Sequence, residues 1–363
     1  MNYRPFGLTG LKISILGMGT MRLPAGRKSS GRSGAIDLLL HAMRRHINFF
    51  DIAEFYAGGQ CESILGEALK LAWPPNLILA AKNNAHQTSD PDWSRHLTST
   101  LSNLQCDHLD YYFLHFLQYQ NWQDYYLDKG VLEEVLAAQK KGLFRHLGFS
   151  SHDTPGRVRL MIDTGVFSAI ILPYNLINRS YEEVLRYAAD CGLGVIAMNP
   201  MAGGALAKSA LFAEAFQGLS SEQLASLALN YVLSQPFIHC AISGMESAAI
   251  INGNIDTVHR PRFSAEEIEQ LDDAISRENA ERYIPCTGCQ YCLPCPQGIP
   301  IPEIINMLNQ FAGLQGENLN HREYRLLQNP AECCITCGAC AVKCPQGLPI
   351  PQLMMSAAKR FTS

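Results

Sequence analysis

Nine of the 13 cysteines lie between Cys286 and Cys344. Cys334, Cys337, Cys340 and Cys344-Pro345 follow the spacing C-x2-C-x2-C-x3-C-P. Cys286, Cys289, Cys292 and Cys295-Pro296 repeat it with one residue fewer before the last cysteine. Three thiolates so spaced converge on one cubane cluster, and in two-cluster chains the fourth ligates the other cluster. The proline stops the ligand loop from continuing as a helix and brings no competing N–H. Gly288 and Gly338 let the backbone approach the sulfides. Eight cysteines also suffice for two zinc sites. Three cysteines in register with a distal Cys-Pro, present twice, favour two 4Fe–4S clusters. Cys333 is the leftover; it stands beside Cys334, which the register favours.

A second set of residues suits carbonyl chemistry. Asp51, Lys82 and His115 each close an apolar run, and Tyr56 follows Asp51 by five residues. Any one of them alone reads as a satisfied polar strand end. An Asp, a Lys and a His together at the ends of apolar strands are costly unless they partner one another. A tyrosine hydroxyl protonates a carbonyl oxygen while hydride reaches the carbon. Its ordinary pKa of ~10 is high for work at neutral pH, and a neighbouring ammonium favours the phenolate. Asp51 would hold Lys82 in place, and His115 would orient the carbonyl by hydrogen bonding.

The elements that must bring these residues together are legible as alternation. Eight β-rich runs occur at Ile13 to Gly17, Ile47 to Asp51, Leu77 to Lys82, Tyr111 to Leu114, Phe144 to Phe149, Ala169 to Leu172, Gly194 to Ala197 and Ile238 to Ile242. Helical spacing fills the intervals, as at Ser33 to Arg45 and Glu62 to Ala72. Strict alternation implies parallel strands with crossover helices. Eight units suit a closed (β/α)8 barrel, whose chemistry sits at the C-terminal mouth; a doubly wound open sheet is the alternative. Met1 to Leu11 reads as a hairpin closing the bottom of the barrel. Ser264 and Glu267 form a capping box for a helix to Arg277. Beyond Asn279 the barrel periodicity stops. The expected domains are 1–280, the barrel, and 281–363, a mainly helical iron–sulfur module. The module contains an internal repeat, Cys295-Pro296-Gln297-Gly298-Ile299-Pro300-Ile301-Pro302 returning as Cys344-Pro345-Gln346-Gly347-Leu348-Pro349-Ile350-Pro351. Cys61, Cys106, Cys191 and Cys240 read as small core residues. His41, His46, His86 and His108 have no metal spacing and receive no role.

Residues 1 to about 275 closely resemble the aldo/keto reductase family. The resemblance rests on Ile47-Asn48-Phe49-Phe50-Asp51-Ile52-Ala53-Glu54-Phe55-Tyr56, Ala80-Ala81-Lys82, Leu109-Asp110-Tyr111-Tyr112-Phe113-Leu114-His115 and Gly142 through Ser150. It implies Asp51, Tyr56, Lys82 and His115 as the catalytic tetrad, with Tyr56 the acid, and NAD(P)H as the cofactor. It places Gly19 and Thr20 in the first loop, Ser150 at the nicotinamide amide and Met198 beside the ring. It sets Ser243 and Gly244 near the phosphates and Asn254 near the adenine. Ser151, Ile171 and Met198 depart from the family pattern at nicotinamide contacts. The stretch from Ser243 to Asn254 contains no Lys or Arg, so no strong preference for NADPH is expected. The apolar-periodic spacer after Ile301 resembles the α-helical ferredoxin module. That resemblance implies Cys286, Cys289, Cys292 and Cys344 on one cluster, and Cys334, Cys337, Cys340 and Cys295 on the other.

The totals exclude several classes. Apolar residues at 47% and charged residues at 17% allow a sizeable core. A net charge of −4 argues against a general nucleic-acid binder. No apolar run reaches the ~18 residues of a membrane span. Met1 to Gly10 lacks the basic and apolar segments of a signal peptide. The protein is expected to be cytoplasmic, where a reducing setting disfavours disulfides and the crowded cysteines point to metal. The expected activity is NAD(P)H-dependent reduction of a small-molecule carbonyl, or oxidation of an alcohol. The clusters would be structural, or would relay electrons with a ferredoxin-like redox partner. The alternative is an electron-transfer or docking subunit with a vestigial barrel.

Overall fold

The computed structural model describes residues 1–25, 31–88, 91–207, 218–277, 284, 286, 288, 290–311, 324–344 and 346–362. Two compact units emerge: Met1–Tyr174 with Arg179–Pro200 and Leu229–Arg262, and Asn175–Asn178 with Met201–Ala228 and Phe263–Ser363.

In the first unit eight parallel strands close into a barrel. They are β3 (Leu16–Gly19), β4 (Phe49–Asp51), β5 (Ile78–Asn83), β6 (Leu109–Leu114), β7 (Phe144–Ser150), β8 (Ala169–Pro173), β9 (Gly194–Met198) and β10 (Cys240–Gly244). Each strand pairs with the next, and β10 pairs with both β9 and β3. Nearly every strand residue is buried, because crossover helices cover the outside and side chains fill the inside.

A hairpin of β1 (Tyr3–Pro5) and β2 (Lys12–Ser14) closes the bottom. Its Phe6 is fully buried with Ile13, Phe49, Ile78, Tyr111 and Ile196. Gly7 has φ +55°, and a Cβ there would lie 2.5 Å from Gly192 O. Only glycine lets the hairpin approach the β8–β9 connection so closely. The Arg4 guanidinium donates to the carbonyls of Leu233, Gln235 and Ile238. It satisfies acceptors at and beyond the end of the helix Ser221–Ser234, where the chain turns. The expected first barrel strand, Ile13 to Gly17, needs correction: Ile13 belongs to the hairpin, and the barrel strand begins at Leu16. Asn48 marks the break, its Oδ1 accepting from Ser14 N–H at 2.7 Å. Residues 13 to 18 are apolar almost throughout, so periodicity could not locate that break.

In the second unit the capping box forms as expected. Ser264 N–H donates to Glu267 Oε2 at 2.7 Å, and Glu267 N–H donates to Ser264 Oγ at 3.2 Å. The sequence repeat becomes two helices, Ile301–Phe311 and Ile350–Thr362, each with proline in its first turn. Their apolar faces pack Ile304, Ile305 and Leu308 with Ile350, Met354, Ala357 and Phe361 in one core. Among the described residues no helix is long and apolar enough to cross a membrane.

Candidate active site and cysteine cleft

The parallel barrel delivers the end of every strand to one mouth. Asp51 ends β4, Lys82 stands one residue from the end of β5, and His115 follows β6. Tyr56 begins a tight turn after β4. Lys82 Nζ lies 2.6 Å from Asp51 Oδ1 and donates to Tyr56 OH at 3.0 Å. All four side chains are buried. Burial raises the Asp51 carboxyl above its ordinary range, and Lys82 opposes that shift. Thr20 fixes the β4 end, donating from N–H and Oγ1 to Asp51 O at 3.2 and 2.6 Å. The four residues read from the sequence therefore meet.

A column of rings holds His115. Phe55 stacks on His115 at 5.2 Å and 5° between planes. Phe116 lies 4.7 Å from the His115 ring centroid, and His152 stacks on Phe116 at 5.1 Å. Tyr56 meets His115 edge-on at 5.8 Å. Burial, then the nearby Lys82 charge, pushes His115 well below the ordinary imidazole range, so it is neutral. Its Nδ1 is buried with no hydrogen-bond partner among the described residues. Phe116 adopts φ +57°, unusual for a bulky residue, with its N–H donating to Ser150 Oγ at 3.2 Å. Strained backbone of this kind persists where the surrounding structure over-determines it.

Sequence reasoning missed His152 and His86. His152 is half-buried, its pKa lowered to about 3 by desolvation and then Lys82. His86 is lowered to about 4 by burial, and its Nδ1 lies 3.1 Å from Tyr126 OH. Position just past the end of β7 was a usable signal for His152. Nothing in the sequence pointed to His86. Trp122, Tyr125 and Tyr126 are buried, packed on one another, on Phe167 and on His86. Cys61 and Cys240 are core residues as expected, whereas Cys106 is half-buried and Cys191 exposed. Both of these lie just past helix ends, where the chain turns outward.

The residues expected to hold a nucleotide also line up on strand ends. Gly19 pairs in register with Asp51 and with Gly244. Asn254 Nδ2 donates to Ser243 Oγ at 3.1 Å. Met198 ends β9 half-buried. Ser150 Oγ already accepts from Phe116, and the Thr20 hydroxyl is engaged with Asp51. A Cβ built on exposed Gly244 would meet only the Arg22 side chain, at 3.7 Å. A basic residue from the first loop thus stands where the window from Ser243 to Asn254 offered none.

The second unit contains a cleft lined by Cys295, Cys334, Cys337 and Cys340 with Ile299 and Met354. These are the four cysteines implied for one cluster. Cys333 is not among the lining residues. Among the described residues no three Cys, His, Asp or Glu converge as a single-ion site requires; the thiols face a shared space instead. Burial raises Cys340, opposed by the N–H groups of Cys340 and Ala341. Those amides point at sulfur, as ligand loops of iron–sulfur sites do. Gly288 and Gly338 adopt φ +63° and +76°. Cys286, Cys292 and Cys344 are half-buried against the same core, and Cys289 lies outside the described residues.

Two side-chain clamps position these segments. Asn309 Oδ1 accepts from Ile284 N–H at 2.8 Å, and its Nδ2 donates to Ile284 O at 2.9 Å. Tyr324, stacked on Phe361, accepts from Ala331 N–H at 2.9 Å and donates to Glu332.

Comparison with known proteins adds the following. The aldo/keto reductase family model matches residues 15–276, and a 4Fe–4S dicluster domain model matches residues 285–349. The uncharacterized oxidoreductase YqkF of Bacillus subtilis is 25% identical over 304 residues, covering 75% of this chain and 95% of its own. L-galactose dehydrogenase of Arabidopsis thaliana is 28% identical over 284 residues, covering 70% and 87%. The holo form of an aldo-keto reductase from Bacillus halodurans superposes with a TM-score of 0.65 at 23% identity, covering 76% and 96%. That structure shares the fold.

Proposed function

This chain belongs to the aldo/keto reductase family and is an oxidoreductase, and from that premise we propose that it reduces a small carbonyl compound, or oxidises the corresponding alcohol, with NAD(P)H. The observation that carries the reading is the buried chain Asp51–Lys82–Tyr56 at the barrel mouth, with neutral His115 beside it. Nicotinamide, when bound, supplies or accepts the hydride at the substrate carbon. Tyr56 delivers its hydroxyl proton to the carbonyl oxygen and takes it back in the reverse direction. Lys82, 3.0 Å from that hydroxyl, stabilises the phenolate left behind. Asp51 keeps the ammonium in place. His115 is buried at Nδ1, so its Nε2 is the nitrogen that offers an N–H to the substrate oxygen. Gly19, Thr20, Ser150, Met198, Ser243, Gly244 and Asn254 lie along the nucleotide's path. Arg22 beside Gly244 supports phosphate binding without a dedicated 2′-phosphate site. The similarity to L-galactose dehydrogenase supports a sugar-derived substrate.

In the C-terminal module we assign two 4Fe–4S clusters, with Cys295, Cys334, Cys337 and Cys340 holding one and Cys286, Cys289, Cys292 and Cys344 the other. The four thiols of the cleft support the first set. Bound clusters accept and release single electrons, and the module exchanges them with a redox partner. Thiolate ligation suits the reducing cytoplasm.

The test is anaerobic purification, iron and sulfide analysis, and NADPH or NADH oxidation with a panel of aldehydes. About eight irons per chain are expected for two cubanes, with aldehyde turnover lost in Tyr56→Phe. Zinc in place of iron would overturn the cluster assignment. Nucleotide that fails to bind would overturn the reductase.

A further inference from the structure

We propose that His152 is a specificity-determining residue of the barrel mouth, reading a hydroxyl of an uncharged polyhydroxylated aldehyde whose carbonyl is held by His115. The inference rests on the reductase reading above and deepens it. The ring column ends on His152: Phe116 lies 4.7 Å from His115, and His152 lies 5.1 Å from Phe116. Those two steps put the imidazoles at most 9.8 Å apart. His115 is buried, whereas Phe55, Phe116 and His152 are each half-buried. The column therefore runs from the buried Asp51–Lys82–Tyr56 chain toward solvent. The backbone on both sides of His152 is fixed. Buried Ser151 donates from Oγ to Leu117 O at 2.6 Å and accepts from Asp153 N–H at 3.0 Å. Buried Asp153 accepts from Tyr119 N–H at 2.8 Å, and its carbonyl accepts from Tyr181 OH at 2.8 Å. The strained backbone of Phe116 is held likewise, its N–H donating to Ser150 Oγ and its carbonyl accepting from Gln87 Nε2, each at 3.2 Å. A partly open side chain between two bonded, buried neighbours is preorganised for contact, and retained strain beside reacting residues marks a ligand clamp.

The chemistry of the column selects the substrate class. Desolvation and the Lys82 charge keep both imidazoles neutral. A neutral imidazole carries one N–H and one acceptor nitrogen, the complement of an alcohol hydroxyl, which also donates and accepts. The phenyl rings of the column offer apolar faces for the C–H side of a carbon chain. None of the four rings carries a charge for a carboxylate or phosphate. The charges beside them are engaged with one another: Lys82 with Asp51 at 2.6 Å, Glu54 with His96 at 2.7 Å and Asp153 with Arg157 at 3.6 Å. With hydrogen bonds of ~2.9 Å from each ring, the span between the imidazoles suits a hydroxyl several bonds from the carbonyl, as in a four-carbon aldose.

The test compares NAD(P)H-dependent reduction of D-erythrose and of butanal, two four-carbon aldehydes, by wild type and by His152→Phe, which keeps a ring in the stack and removes its nitrogens. For erythrose kcat/KM should fall about tenfold or more, chiefly through KM. For butanal it should not fall, and Tm and nucleotide Kd should stay as in wild type. His152→Leu repeats the comparison without a ring. Equal losses on both aldehydes, no loss on erythrose, or a wild type that prefers the anionic succinate semialdehyde to erythrose would each overturn the hydroxyl-reading role. Wild type that reduces no aldehyde at all would instead remove the reductase reading beneath it.

Discussion

Replacing Lys82 by Met keeps the length of the side chain and deletes its charge. At an effective dielectric of about 20, a unit positive charge 3.0 Å from the Tyr56 oxygen favours a phenolate by about 5.5 kcal/mol. The Asp51 carboxylate opposes it. The contacts of 2.6 and 3.0 Å in series put Asp51 Oδ1 at most about 5.6 Å from that oxygen, a repulsion of at least about 3 kcal/mol. The net support for the phenolate is therefore at most about 2.5 kcal/mol, just under two decades in rate. In the variant Asp51 loses its partner, and burial drives it to take a proton, so both charges vanish together. The expected result is a kcat for aldehyde reduction lowered by tens of fold, up to about 70-fold, at neutral pH, with the alkaline limb of the alcohol-oxidation profile displaced upward. Nucleotide Kd should change little, because the ammonium faces the tyrosine. Steady-state kinetics across pH, with NADPH binding measured by fluorescence, give both readouts. A variant with wild-type kcat and an unmoved alkaline limb would refute the role assigned to the Asp51–Lys82–Tyr56 chain.

Other perturbations read different parts of the molecule. His86, His152 and His239 are held to about 4, 3 and 4, and His115 well below its ordinary range, burial being the main cause in each. The unfolded chain binds protons below about pH 6.5 that the folded barrel refuses, so stability is full above that pH and falls as pH drops through it. Asp51 and Glu62, both raised by burial, act in the opposite sense at lower pH; four histidines against two carboxyls leave Tm falling from pH 7 to 5, and a flat Tm series would contradict this. Asn309→Ala removes both hydrogen bonds to Ile284 and frees the segment leading to Cys286. Iron should drop from about eight to about four per chain, whereas full occupancy would show that the clamp is dispensable. Gly7→Ala forces a Cβ to 2.5 Å from Gly192 O at φ +55°. Destabilisation above about 2 kcal/mol is expected from thermal or urea unfolding.

The sequence by itself determined the barrel and the residues at its mouth. In a parallel β/α alternation every strand must end at the same rim, so Asp51, Lys82 and His115 meet whatever the loops do, and Tyr56 lies a short turn away. Cysteine spacing likewise pointed to an iron–sulfur module, because ligand geometry is local within each C-x2-C-x2-C run. Tertiary structure decided what depends on neighbours remote in the chain. The ring column Phe55–His115–Phe116–His152 draws on three strand ends and a left-handed backbone at Phe116 that no local rule announces. Arg22 reaches Gly244 only because β3 and β10 close the barrel. The residue that starts the first barrel strand was hidden because hairpin and barrel share a run in which only Ser14 and Gly17 interrupt apolar residues, and the Asn48 bonds set the break at Ser14. Cys295 joins Cys334, Cys337 and Cys340 on one cleft because the two repeats pack helix to helix. Spacing governs contacts within a few residues; contacts across dozens of residues follow from how buried faces pair, which only the folded chain displays.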